Sequence, residues 1–179
     1  MTVLETLLRR HARRAAVLAV YERIVERARE SRFYTEWGVP DTLDGRFEVL
    51  ALHTFLVLNR LKRDHTATAA FAQELFDAMF ADLDRGLREM GAGDLGVGRR
   101  VKAMASGFYG RIAAYDRGLI EEEALAPALR RNLYGTTLPD EAQLVAVVAY
   151  ARQQAAALAA HSAQALLEGT VEFAPLQGQ

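Results

Sequence analysis

The run FEVLALHTFLVL, Phe47–Leu58, decides the fold. Its apolar residues cover nearly every side of a helical projection, and a helix that is apolar all round must be enclosed by neighbours. It lacks the strict alternation of a half-buried strand. The stretch Phe47–Leu61 is interrupted by Glu48, His53 and Asn59 and falls short of the roughly 20 apolar residues that span a bilayer. A central helix of a soluble bundle is the expectation, with Asp44 as N-cap and Lys62 at its end.

Working outward toward the N-terminus, Ser31–Asp44 contains Gly38, Pro40 and Asp41 and is expected to be an ordered loop. It carries Phe33, Tyr34 and Trp37, which either pack over the bundle end or face a partner. Before it, Leu4, Leu7, Leu18, Tyr21, Val25 and Ala28 follow helical spacing, which predicts a helix over Val3–Arg29. Arg9, Arg10, Arg13 and Arg14 are followed by neither a long apolar run nor a small-residue cleavage site, so the start is no secretory signal. A basic face of this kind can meet anionic lipid or ribosomal RNA, but Glu22, Glu26 and Glu30 offset it.

In the other direction, Phe71, Leu75, Met79, Leu87 and Met90 predict a helix over Thr66–Met90, and Phe76, Phe80 and Leu83 widen its stripe enough for two neighbours. Gly91–Gly98 is expected to be a glycine-rich connection. Helical spacing resumes at Val101, Met104, Phe108, Ile112, Tyr115 and Leu119. Glu121–Tyr134 predicts a shorter helix with Pro127 inside it and Gly135 just beyond. Pro139 suits the first position of an alanine-rich helix running to about Glu168, and Gly169–Gln179 is expected to be a tail ordered by docking. The architecture is therefore all-α, a single compact multi-helix bundle of about six helices. One domain covers residues 1–168 and the tail covers 169–179.

The totals agree with such a domain. The chain of 179 residues is 51% hydrophobic and 25% charged, and its formal net charge of -1 gives no basis for sequence-specific or bulk nucleic-acid binding. With no cysteine, it has no disulfide, thiolate metal site or cysteine nucleophile, and it suits a reducing, cytoplasmic setting.

Candidate chemistry is sparse. Gly91-Ala92-Gly93-Asp94-Leu95-Gly96 matches the dinucleotide fingerprint as a string, but that motif requires a preceding strand and here follows a helix. Backbone amides there, helped by Arg99, Arg100 and Lys102, could instead meet an anion. His11, His53, His65 and His161 form no Glu-x-x-His pair of the di-iron type, and no axial-ligand motif supports haem. His53 reads as a hydrogen-bonded core histidine. Asp77, Asp82, Asp84, Arg85, Arg88 and Glu89 read as a solvated face of i,i+4 pairs or as a rim that orients a partner. Without a base, acid and nucleophile in one pattern, neither an enzyme nor a bound cofactor or metal is expected. A general helical interaction module or homo-oligomeric scaffold fits the same observations.

The loop and buried helix, FYTEWGVPDTLDGRFEVLALHTFLVLNRLK, and the later block LFDAMFADLDRGLREMGAGDLGVGRRVKAMASGFYGRIAAYD together resemble the ubiquinol–cytochrome c chaperone family. The resemblance covers about Phe33 to Tyr134. It includes Val39-Pro40-Asp41-Thr42, Gly45-Arg46-Phe47, Arg88-Glu89-Met90-Gly91, Gly93-Asp94 and Phe108-Tyr109-Gly110-Arg111. It implies an assembly factor that engages newly made cytochrome b before it joins the bc1 complex. Further implied contacts are a small companion protein, the membrane and the ribosome. The missing long N-terminal extension marks a bacterial-type member, placed in the cytoplasm or at the cytoplasmic face of the inner membrane. A client groove is then expected to be bordered by Phe33, Tyr34, Trp37, Phe108 and Tyr109, with Asp82, Arg88, Asp94 and Arg111 setting orientation.

Overall fold

The computed structural model describes residues 2–91 and 94–176, apart from the side chains of residues 3, 94 and 95. These residues form eight helices: α1 (Val3–Ala28), α2 (Arg32–Thr35), α3 (Leu43–Lys62), α4 (His65–Glu89), α5 (Asp94–Ile120), α6 (Leu125–Leu133), α7 (Glu141–Ala159) and α8 (Ala163–Leu167). Two of the eight are little more than single turns, leaving six substantial helices in the bundle. Among the described residues there is no strand, and no helix is long and apolar enough to cross a membrane.

The bundle is organised on α3, which packs against α1, α4, α5 and α7. Val49, Ala51, Leu52, Phe55, Leu56 and Val57 are all buried, as a helix apolar on every side requires. Burying each of the larger of these side chains stabilises the fold by roughly 1.5–3 kcal/mol. The neighbours contribute single stripes, such as Val17, Val20 and Ile24 from α1 and Phe71, Leu75 and Met79 from α4.

Several boundaries differ from those expected. The predicted loop before the core helix contains one helical turn, α2, which seats Phe33 in the core. Thr42, not Asp44, caps α3, because its Oγ1 accepts the Gly45 N–H at 3.1 Å in the third position of the helix. Asp44 lies in the first turn, where its carboxylate faces the helix dipole and pairs with Arg100 at 2.7 Å. Gly45 is demanded by the approach of the loop: a Cβ there would stand 2.0 Å from the Pro40 carbonyl oxygen.

The glycine-rich connection is shorter than Gly91–Gly98, since α5 already runs from Asp94 and takes in Gly96 and Gly98. Two helical glycines cost about 1 kcal/mol each, and burial of Val97 between them offsets that cost. The stretch Glu121–Ala124 remains a turn, and α6 starts at Leu125 with Pro127 in its first turn, where a missing N–H breaks no helical bond. Asp140, not Pro139, begins the next helix through a capping box with Gln143, so Pro139 stands just outside it. The long alanine-rich helix breaks after Ala159, and Ser162 caps the short α8 by accepting the Ala165 N–H at 3.1 Å.

After α8 the chain turns at Gly169, whose φ of +89° favours glycine, and crosses the bundle in extended form. Val171 and Leu176 are buried there, while Glu172 points outward.

Candidate functional site

Pro40, Gly45 and the Thr42 cap bring the loop against the first turn of α3, and this opens a groove of about 530 Å³ beside α1 and α4. Its floor is apolar, formed by Val25, Ala28, Leu43, Phe47, Leu50 and Leu83. Its rim is charged or polar, with Arg29, Tyr34, Asp41, Arg46 and Asp82.

Three of the rim charges, Asp41, Arg46 and Asp82, are held in place. Arg46 Nε donates to Asp41 at 2.6 Å, and this bond holds the exposed Asp41 carboxyl below its ordinary range. Asp82 accepts the Tyr21 hydroxyl at 2.9 Å and pairs with Arg85. Burial first, and then Asp82, raises the Tyr21 pKa, so the phenol remains a donor. Tyr34 O–H donates to the Ala28 carbonyl at 2.8 Å and fixes its ring at the groove edge. These bonds reduce the rotamer freedom that a docking partner would otherwise have to remove.

Beneath the floor lies an ion pair. Arg111 crosses the bare backbone of Gly107, stacks over the Phe47 ring at 5.4 Å from its centroid and grips the nearly buried Glu48 with both nitrogens of a fork, Nε at 2.6 Å. Burial pushes the Glu48 carboxyl up, and Arg111 opposes that shift. The pair props Phe47 from behind.

Of the residues expected to border a client groove, Tyr34 and Asp82 line this one and Arg111 supports its floor. Phe33 is fully buried, edge-on to Trp37, His53 and Tyr150 at 5.0–5.3 Å. Trp37 is half-buried beside Tyr150 and its carbonyl accepts the Tyr134 hydroxyl, whose pKa burial pushes up to about 12. Phe108 is also fully buried, against Phe76 and Phe80, while Tyr109 is 61% exposed over Phe76. The two aromatic groups therefore lie on different neighbours, α7 and α4, and do not form one wall. Arg88 pairs with Asp84 at 2.6 Å along α4. The side chain of Asp94 lies outside the described residues, as do residues 92–93 of the glycine string.

The groove also uses residues that helical spacing alone did not single out, above all Asp41 and Arg46. Their signal was the ordered strings Val39-Pro40-Asp41-Thr42 and Gly45-Arg46-Phe47, which encode the approach of the loop rather than a period.

His53 is a core residue. Val49 O can only accept, so Nδ1 carries the proton to it at 2.7 Å, and Nε2 accepts the Tyr150 hydroxyl at 2.7 Å. Burial lowers its pKa to about 4. Among the described residues, no three His, Asp or Glu side chains are grouped to hold a metal ion.

Comparison with known proteins gives a consistent result. Residues 35–173 match the family model described as ubiquinol-cytochrome C chaperone. The ubiquinol-cytochrome-c reductase complex assembly factor 1 of Xenopus laevis is 31% identical over 163 residues, which are 90% of this chain and 82% of that protein. The Homo sapiens protein of the same name is 28% identical over 163 residues, and the chain spans about half of its length (54%). A crystal structure of the Cbp3 homolog from Brucella abortus superposes with a TM-score of 0.84 at 41% identity, covering 98% of both chains.

Proposed function

Because the chain belongs to the ubiquinol-cytochrome c chaperone family, we propose that it is an assembly factor for ubiquinol-cytochrome c reductase whose client is newly made cytochrome b. The observation that carries this reading is the groove beside α3, with an apolar floor and a pinned charged rim. A hydrophobic segment awaiting its partners needs apolar surface to shield it and polar edges to orient it. Val25, Leu43, Phe47, Leu50 and Leu83 supply the first; Arg29, Asp41, Arg46 and Asp82 supply the second.

The role is non-enzymatic: the chain shields and releases its client and transforms nothing. Complementary charge on the rim sets register and encounter rate more than affinity, which suits a contact that must end when the complex assembles. Such a factor acts at the cytoplasmic face of the membrane that receives the client, alone or with a small companion protein.

The test is affinity capture of the tagged chain from its own cells during bc1 synthesis, with rapid crosslinking. Unassembled cytochrome b should be retained without the mature complex, and a Tyr34→Ala, Leu83→Glu double variant should retain less. Recovery of a stable soluble partner alone, with normal bc1 levels in a deletion strain, would overturn the reading in favour of a general interaction module.

A further inference from the structure

A second cleft, separate from the open groove, is filled by the chain's own residues 170–176. Val171 and Leu176 are buried, Phe173 and Ala174 half-buried, and Glu172 and Pro175 exposed. Phe173 stands edge-on to His53 at 5.4 Å, with the Arg27 guanidinium over its face at 5.6 Å.

The hydrogen bonds from the body all go to the main chain of this segment. Gln154, with no exposed surface, donates to the Ala174 carbonyl at 3.1 Å and accepts the Ala174 N–H at 2.8 Å. Its amide thus pairs as a neighbouring strand would. His161 Nε2 accepts the Glu172 N–H at 3.1 Å, and Arg27 donates to the Phe173 carbonyl at 3.4 Å. Among the described residues, no backbone-to-backbone hydrogen bond holds residues 171–176.

Gln154 is a buried amide on an otherwise alanine-rich helix, and a buried amide left without partners is costly. Both of its hydrogen-bonding functions are satisfied by an extended main chain, whatever side chains that chain carries. Apolar seats for Val171, Phe173 and Leu176 complete the site. Gly169, with its positive φ, turns the chain just outside the site, where a Cβ would meet Ala16 and Ala19 of α1.

We propose that the cleft between α1, α3 and α7 is a binding site for an extended apolar peptide, and that residues 170–176 are its resident placeholder. An incoming segment with apolar residues in the spacing of Val171, Phe173 and Leu176 takes the same main-chain bonds to Gln154, His161 and Arg27 while the strap swings out about Gly169. This assignment stands apart from the reading of the open groove and from the identity of any client.

The test uses the full-length chain and a labelled peptide with the sequence of residues 170–176, followed by fluorescence polarisation. A resident strap reduces apparent affinity by the fraction of time it occupies the site. The full-length Phe173→Ala, Leu176→Ala variant should therefore bind the peptide at least tenfold more tightly than the natural chain, and Gln154→Leu in that background should remove the gain. Equal or absent binding by both, with helical circular dichroism intact, would overturn the proposal. Should the variant not fold, hydrogen exchange of the Ala174 amide in the natural chain decides. Exchange through an opening well below global unfolding supports the placeholder, and exchange by global unfolding alone overturns it.

Discussion

The two clefts that α3 helps to build differ in what satisfies them. The groove beside α1 and α4 is open, and its polar groups are satisfied by one another: Arg46 by Asp41, Asp82 by Tyr21 and Arg85. The cleft beside α7 is filled, and its polar groups are satisfied by a stretch of main chain. The first can remain empty in water at little cost, because charged rims are solvated and apolar floors of this size are common on protein surfaces. The second is closed by residues 170–176, which cover Gln154 and the His53 ring. On the readings proposed above, one surface receives side chains of a client and the other main chain.

The largest effect should come from the residue that shapes the open groove. Gly45→Ala places a Cβ against the Pro40 carbonyl oxygen, and neither backbone can yield without unseating the start of α3. Overpacking at such a site costs about 3 kcal/mol or more, read as a lower urea midpoint. If the comparison is right, client capture falls in this variant while exchange of the Ala174 amide changes less.

Acid should strike the filled cleft. His53 has its pKa lowered to about 4 from an ordinary 6.5, so between those values the unfolded chain binds the proton and the native chain does not. Stability is full above about pH 6.5 and declines as pH falls toward 4, by roughly 3 kcal/mol in all. Urea titrations from pH 7.5 to 4 should show this slope, and His53→Gln should flatten it. An unchanged slope would mean that other groups carry the acid response.

A smaller loss is expected from Gln154→Leu, which leaves the Ala174 N–H and carbonyl without their partner for about 1–3 kcal/mol. It should loosen residues 170–176 and spare the open groove. Smallest of all is Arg88→Ala. Its pair with Asp84 is an exposed i,i+4 contact worth about 0.3–0.5 kcal/mol, so both the thermal midpoint and client capture should hardly change. A marked loss of capture without loss of stability would instead move Arg88 into the client interface.

The open groove was half legible in the sequence and the filled cleft was not. Apolar periodicity exposes helices and their buried faces, which is why the enclosing of Phe47–Leu58 and the core role of His53 could be read directly. Caps and breaks depend on single hydrogen bonds, so Thr42 was passed over for Asp44 and the break before Ser162 was missed. Phe33 carries no mark that separates a core aromatic from a surface one, whereas Phe108 lies on the apolar stripe of its helix and Tyr109 lies off it. Gln154 looks like an ordinary polar position of an alanine-rich helix until the segment that crosses it is in place, and extended main chain leaves no period of its own.

The central claim is that the open groove receives newly made cytochrome b. A photo-crosslinking residue at Leu83 on its floor, with another at the exposed Ile120 as control, tests it in cells making the bc1 complex. The account predicts adducts with unassembled cytochrome b from Leu83 and none from Ile120. Adducts from Ile120 alone, or none from Leu83 while cytochrome b is still captured, would contradict it.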